Sequence, residues 1–328
     1  PTMLLKLLGV TILVGILAGS YPALFLSRLR PAKILRGDIQ IGKKGTRIRQ
    51  VLVVFQFIVS IFCVIFAILI IKQSEYIYHL DLGYNRNNVL VARVCYGKFS
   101  HDLKPLKNEL KKHPKIVSLS AAFWTPIGWG TAFRVIPEGG SERDAWTWNV
   151  YGVDYDYIEL LEMEIVKGRS FSRDYDESSS FIINETAARQ LGWQDPIGKR
   201  LSVRTFKGLV IGVVKDFHFS SIFSNIRPTA LHLRKDFLQF LYIKLSHDPD
   251  SEVIEYLEDN WSLFIPDLPF EYSTLDEHFK DLYFPLKQFG MLMGTIGIVA
   301  IFFSCLGLFG LSTYAARQRI KEIGIRKA

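Results

Sequence analysis

The chain has 328 residues, 49% of them hydrophobic and 22% charged, with a net charge of +8 and a mean hydropathy of +0.16. It is too apolar for an ordinary soluble chain and too charged for one lying wholly in lipid, so its apolar residues must be gathered into segments. The basic excess is confined to two short stretches and is no evidence for nucleic-acid binding. Cys63, Cys95 and Cys305 offer neither a disulfide framework nor a CxxC metal site.

No charge interrupts Leu7 to Ser27, Gln50 to Ile71 or Gln288 to Ala316, and about 20 apolar residues cross the hydrocarbon core. Three transmembrane helices are therefore predicted, at residues 4–27, 50–72 and 286–316. The first contains Gly9, Gly15, Gly19 and Pro22, which soluble helices avoid and membrane helices tolerate. Gly15 with Gly19, and Gly290 with Gly294, have the GxxxG spacing that lets a second helix approach closely. The start lacks the basic region and cleavage site of a signal peptide. A chain opening on Pro1 and stopping at Ala328 within a basic segment reads as a fragment.

Residues 28–49 form a basic loop, with Arg28, Arg30, Lys33, Arg36, Lys43, Lys44, Arg47 and Arg49 against Asp38. Arg317, Arg319, Lys321, Arg326 and Lys327 follow the last span against Glu322. Short basic loops stay cytoplasmic, and residues 73–285 carry a net charge of −6. The spans then run inward, outward and inward, which leaves 73–285 outside and turns both basic flanks toward anionic lipid or a partner.

The outer segment reads as an α+β domain. Strand Val89–Val94, helix Asp102–Lys112 and strand Ile116–Ala122 open it; strand Leu241–Leu245, helix Ser251–Phe264 and strand Phe270–Thr274 close it. Two such units combine into a split βαβ, porter-like sheet with both helices on one face. A smaller β-rich part is inserted at about 138–228, with strands near Trp146–Val153, Phe181–Ile183 and Leu209–Val214 and a helix Glu185–Leu191 capped by Asn184.

Catalytic motifs are missing from the sequence. Gly42-Lys43-Lys44-Gly45-Thr46 lacks phosphate-loop spacing, there is no HExxH or GxSxG, and the seven histidines are scattered without ligand spacing. Lys215-Asp216-Phe217-His218-Phe219 looks most like a site but suggests no third group, so it reads as a strand-end turn. The sequons Asn184-Glu185-Thr186 and Asn260-Trp261-Ser262 are of a kind common by chance. No cofactor or metal is expected, and the chain reads as non-catalytic.

After the last span, Ala316, Ile320 and Ile323 make a narrow apolar stripe. Segment 317–328 is thus an amphipathic cytoplasmic helix. Arg317, Arg319, Ile320, Lys321, Glu322, Ile323, Arg326 and Lys327 form either a surface anchor or a docking element for a cytoplasmic partner.

The run Ala316-Arg317-Gln318-Arg319-Ile320-Lys321-Glu322-Ile323-Gly324-Ile325-Arg326-Lys327-Ala328 resembles the corresponding segment of the FtsX-like permease family. Gly168-Arg169-Ser170-Phe171, Ile183-Asn184-Glu185-Thr186-Ala187-Ala188, Pro196-Ile197-Gly198-Lys199 and Ile211-Gly212-Val213-Val214-Lys215-Asp216-Phe217 resemble its MacB-like periplasmic core domain. The resemblance implies a multi-pass permease subunit of an ABC transporter in the bacterial inner membrane. This chain would be the last helix of one permease half and the first two of the next. It further implies a separate cytoplasmic ABC ATPase dimer that drives the outer domain in export or envelope processes on peptides or lipoproteins, with room for a periplasmic or outer-membrane partner. The rival reading is a membrane-anchored sensor that signals inward.

Overall fold

A computed structural model describes residues 5, 6, 8, 9, 11–13, 15, 16, 43–94, 102–125, 132–175, 177, 179–203, 206–219, 221–234 and 238–327. The first predicted span lies largely outside them, as do most of the basic loop and Cys95. The elements are α1 (Lys43–Tyr78), β1 (Val89–Arg93), α2 (Leu103–Leu110), β2 (Ile116–Ala122), β3 (Ala132–Pro137), β4 (Trp146–Val153), α3 (Tyr157–Leu160), β5 (Ile165–Gly168) and β6 (Ser180–Asn184). They continue with α4 (Glu185–Gln190), β7 (Arg200–Val203), β8 (Phe206–Val214), β9 (Thr229–Leu233), β10 (Phe240–Leu245), α5 (Ser251–Phe264), β11 (Tyr272–Thr274) and α6 (Leu275–Lys327). Residues 1–65 with 294–328 form one compact unit and residues 66–293 a second.

In the second unit, strands run antiparallel in the order β11-β1-β10-β2, the split βαβ arrangement. The period-two pleat divides their side chains between two cores. Leu90, Ala92, Leu119, Ala121, Leu241 and Ile243 meet α2 and α5 on one face, while Val89, Val91, Ala122 and Tyr242 point to the other. Helix α2 starts where the Asp102 carboxylate accepts Lys104 N at 3.1 Å. Pro105 is tolerated because its missing N–H falls in the first turn. Helix α5 starts at Asp250, which accepts Val253 N at 3.0 Å, and buries Val253, Leu257 and Trp261, four residues apart on one face.

The chain leaves this sheet after Ala122 and returns at Phe240. Between them, β4, β3, β7, β8, β6 and β9 pair in a ring that closes when β9 rejoins β4. Closure removes the exposed strand edges that invite aggregation. Val135, Trp148, Val150, Phe181, Ile183, Leu201, Val203, Val210 and Ala230 fill this small barrel. The alternate residues Tyr151, Val153, Ile182, Val214, Leu231 and Leu233 lie on its outer side, in the core that also receives Val89, Val91 and Tyr242. Strand β5 adds to β8 where Gly168, at φ +75°, packs so tightly that a Cβ would lie 2.2 Å from the Ile211 carbonyl oxygen.

Helices α1 and α6 contain segments long and apolar enough to cross a membrane, Gln50–Tyr78 and Leu275–Thr313. Phe55, Phe62, Leu69, Phe302, Phe303 and Phe309 are all more than half exposed. Water does not tolerate so large an apolar surface, whereas lipid does. The least exposed positions of α1 are Gln56, Ser60, Cys63, Ala67, Ile70, Ser74 and Ile77; those of α6 include Phe279, Tyr283, Leu286, Gly290, Met293, Gly297, Ala300, Ser304, Gly307 and Leu311. Both series step alternately by four and three, the spacing of a coiled-coil seam. Small residues dominate the seam, which permits close approach. The buried Ser60, Ser74 and Ser304 hydroxyls donate to the carbonyl four residues back, so none needs a partner across the seam. Within the first unit, Gln56 Nε2 reaches Ala300 O at 3.4 Å, and Gly297 is the glycine that meets Cys63 and Val64. From Gly290 this is a heptad step, where GxxxG spacing points to Gly294.

Both helices outrun the spans expected from hydropathy. Helix α1 continues to Tyr78 and α6 begins at Leu275, because Ile77, Leu275, Phe279 and Tyr283 prolong the apolar stripe into protein instead of lipid.

Candidate functional site at the helix–domain junction

Ile77, Leu82 and Tyr84 after α1, and Leu275, Phe279 and Tyr283 of α6, enter the same core as the open face of the split βαβ sheet and the outer side of the barrel. At its centre is Phe219, whose ring lies 5.5 Å from that of Tyr84, 5.0 Å from Tyr151 and 4.3 Å from Phe217. Tyr157 and Tyr242 pack edge to face at 5.3 Å, and burial pushes both phenols well above their usual range. These are packing residues with polar tips.

Arg86 clamps the two helix ends. Its Nε donates to Asp276 Oδ1 at 2.8 Å, its Nη2 donates to the Tyr78 carbonyl, and its guanidinium lies 4.0 Å from the centroid of Phe279. One side chain therefore satisfies a last-turn carbonyl of α1, neutralises a first-turn acid of α6 and covers an aromatic face. Burial raises the Asp276 pKa, but Lys280 and Arg86 outweigh it and hold the carboxyl below its ordinary value.

The connection after α1 is stitched to its surroundings. Gly83, at φ +80°, packs where a Cβ would lie 2.5 Å from the Asp216 carbonyl oxygen, so a side chain is excluded on both conformational and steric grounds. His218 N donates to Leu82 O at 2.8 Å, Asn85 N to Leu161 O at 2.7 Å, and Asn85 Nδ2 to Glu162, which also pairs with Lys244 at 3.0 Å.

The segment Lys215–Phe219 takes its place here as a structural turn. Asp216 accepts Thr186 N and Thr186 Oγ1, both at 2.8 Å, and pairs with Arg189, fixing the start of α4. Phe217 and Phe219 are buried. Asn184 of the first sequon is buried too: its Oδ1 accepts Ala187 N and Thr229 N while Nδ2 donates to Arg227 O. Among the described residues, no group of three or more His, Cys, Asp or Glu is placed to hold a metal.

The sequence-predicted residues Arg317, Arg319, Ile320, Lys321, Glu322, Ile323, Arg326 and Lys327 occupy the last turns of α6; their side chains lie outside the description. Arg86, Asp276, Gly83 and Tyr283 were not singled out from sequence. The readable signal was the 4–3 apolar spacing, which runs past Ile71 to Ile77 and begins before Gln288 at Phe279.

A family model described as the MacB-like periplasmic core domain matches residues 57–258. The chain belongs to that family. The resemblance drawn from the motifs is borne out: this is a MacB/FtsX-like ABC-transporter permease chain with the family's core domain. A macrolide export ATP-binding/permease protein MacB of Chlorobium luteolum is 25% identical over 199 residues, covering 56% of this chain and 30% of that protein. Its namesake from Aggregatibacter actinomycetemcomitans is 22% identical, covering 55% and 30%. The chain thus spans under a third of these relatives' length. Among solved structures, the periplasmic region of MacB from Actinobacillus actinomycetemcomitans has a TM-score of 0.44 and 18% identity, covering 63% of this chain and 97% of that one. A domain of a putative permease from Porphyromonas gingivalis has a TM-score of 0.40 and 15% identity, covering 57% and 88%.

Proposed function

We propose that this chain is a non-catalytic permease subunit of the bacterial inner membrane that carries motion from a separate cytoplasmic ABC ATPase dimer to a periplasmic domain. The observation that carries the reading is α6: a single helix, with Pro285 inside it, has the basic segment 317–327 in its last turns and Phe279 and Tyr283, near its start, in the domain core.

On this reading a displacement of the C-terminal turns travels along α6, whose hydrogen bonds resist bending except at Pro285, where one bond of the ladder is lost. The seam of small residues keeps α1 in step with α6. Beyond Pro285, Arg86 and the aromatic core hold the two helix ends, so close-packed side chains pass the displacement to sheet and barrel. The work would be done on peptides or lipoproteins in export or envelope processes, with any outer partner meeting the moving domain. Residues 73–285 lie in the periplasm on this reading, and 317–328 meet the ATPase.

Charge pairs at such a contact govern register and encounter, while Ile320 and Ile323 supply a desolvated centre. Arg319→Glu with Arg326→Glu should uncouple stimulated ATP hydrolysis in the reconstituted full-length complex, with membrane insertion unchanged because the loop 28–49 still fixes orientation. Unchanged complex formation and stimulation would reduce the segment to a surface anchor.

A further inference from the structure

We propose that the turn Ser221–Ser224 is a lipid-contacting foot, which seats Phe223 in the headgroup region of the outer leaflet beside α1 and α6.

Within the second unit, Phe66 and Phe289 meet at 6.1 Å, a Cβ on Gly290 would lie 2.7 Å from Ile70 Cγ2, and Tyr78 meets Phe279 at 6.3 Å. These contacts set an antiparallel register that brings Tyr76 level with Leu282 and Tyr283. The uncharged run ends at Ile71 in α1 and begins at Gln288 in α6. Tyr76 and Tyr283 each lie five residues beyond those limits, about 7.5 Å further along the helix. The polar interface of a bilayer is about 5–7.5 Å deep on each side. Both tyrosines therefore stand at the outer edge of the headgroup region, and Tyr76, Leu282 and Phe284 are exposed there.

The turn is tied to that level. Ile222 N donates to the Tyr283 hydroxyl at 2.9 Å, Ser224 N closes the turn on Ser221 O at 3.0 Å, and Phe223 N donates to Ser221 Oγ at 3.3 Å. The Phe223 ring stands edge to face with Tyr283 at 5.9 Å, yet it is 65% exposed. A large aromatic side chain ordered by its own backbone and held open at this height is covered by lipid. The foot gives the outer domain a support separate from the two helices and makes its position sensitive to the bilayer surface.

The test uses the full chain in phosphatidylcholine nanodiscs with an environment-sensitive fluorophore on single cysteines, the native ones otherwise replaced by alanine. Sites are Phe223→Cys, native Cys305 within the span, and Ser141→Cys, exposed in the β3–β4 connection. Lipids spin-labelled near the headgroup should quench the probe at 223, chain-end labels the probe at 305, and aqueous iodide the probe at 141. If 223 behaves like 141 while 305 is quenched by lipid, the foot is wrong. If 305 also escapes lipid, the membrane reading of α6 falls with it. As a second arm, a probe at Ser221→Cys should lose about half or more of its shallow-lipid quenching when Phe223 becomes Ser, because the apolar anchor is gone. Unchanged quenching would contradict the role given to Phe223.

Discussion

Replacing Gly290 by alanine places a methyl 2.7 Å from Ile70 Cγ2 and 3.3 Å from Ile70 Cβ. Carbon atoms in contact prefer about 3.5–4.0 Å, so either Ile70 leaves its rotamer or the helices part. Overpacking of this kind costs about 1–3 kcal/mol. Ile70→Ala alone opens a gap that costs about 2–5 kcal/mol in soluble cores, and the lower end applies at a seam where lipid can fill part of the space. Combined, the two changes relieve each other: the Cγ2 contact disappears, leaving the 3.3 Å approach to Cβ and an ordinary 3.7 Å contact with Ile71 Cγ1. The double variant should then be destabilised by about 1 kcal/mol or more less than the sum of the single variants. The assay is unfolding of the purified chain in mixed micelles, followed by helical circular dichroism against the mole fraction of denaturing detergent. Additivity to within about 0.5 kcal/mol would refute close packing of residue 290 on residue 70.

Arg86→Met should preserve much of the apolar cover on Phe279 while leaving the Tyr78 carbonyl and part of Asp276 without a donor. A loss of about 2–3 kcal/mol is expected in denaturant unfolding followed by tryptophan fluorescence, and no loss would mean that the clamp is dispensable. Asp250 bonds first to Lys115, at 2.7 Å, and then to Val253 N, and its pKa falls from 3.8 to about 2. Because the folded value is the lower one, the stabilisation is complete above about pH 4 and drains away as pH falls toward about 2. Thermal midpoints should therefore drop more between about pH 5 and about pH 2.5 in the parent than in Asp250→Asn, and equal drops would contradict the assignment.

Strands β2 and β4 and helix α5 occur at the residues their patterns predict, Ile116–Ala122, Trp146–Val153 and Ser251–Phe264. Each combines strong apolar periodicity with a turn or cap at its ends. Strands β3, β5, β7 and β9 were not predicted. They have four to six residues apiece, and the first two are mostly half-buried or exposed, so the local signal is weak. What stabilises them is remote pairing, such as Asn149 with Thr229 where the barrel closes. The same holds at the junction. Arg86 and Asp276 lie 190 residues apart, and the need for glycine at position 83 follows from a carbonyl in a distant strand-end turn. By contrast, the charges of 317–327 were legible because their pattern is local.

The most direct test of transmission uses a native thiol. A Cβ at position 297 would lie 3.3 Å from that of Cys63, close to the 3.5–4.5 Å that a disulfide spans. With Cys95 and Cys305 replaced, oxidation of Gly297→Cys should lock α1 to α6 through Cys63. The measurement is stimulated ATP hydrolysis by the proposed cytoplasmic ATPase in the reconstituted full-length complex, before and after oxidation. If the helices move as one body, the cross-link forms and stimulation persists. Loss of stimulation on oxidation, with recovery on reduction, would mean that the helices must slide past each other, and would contradict the account.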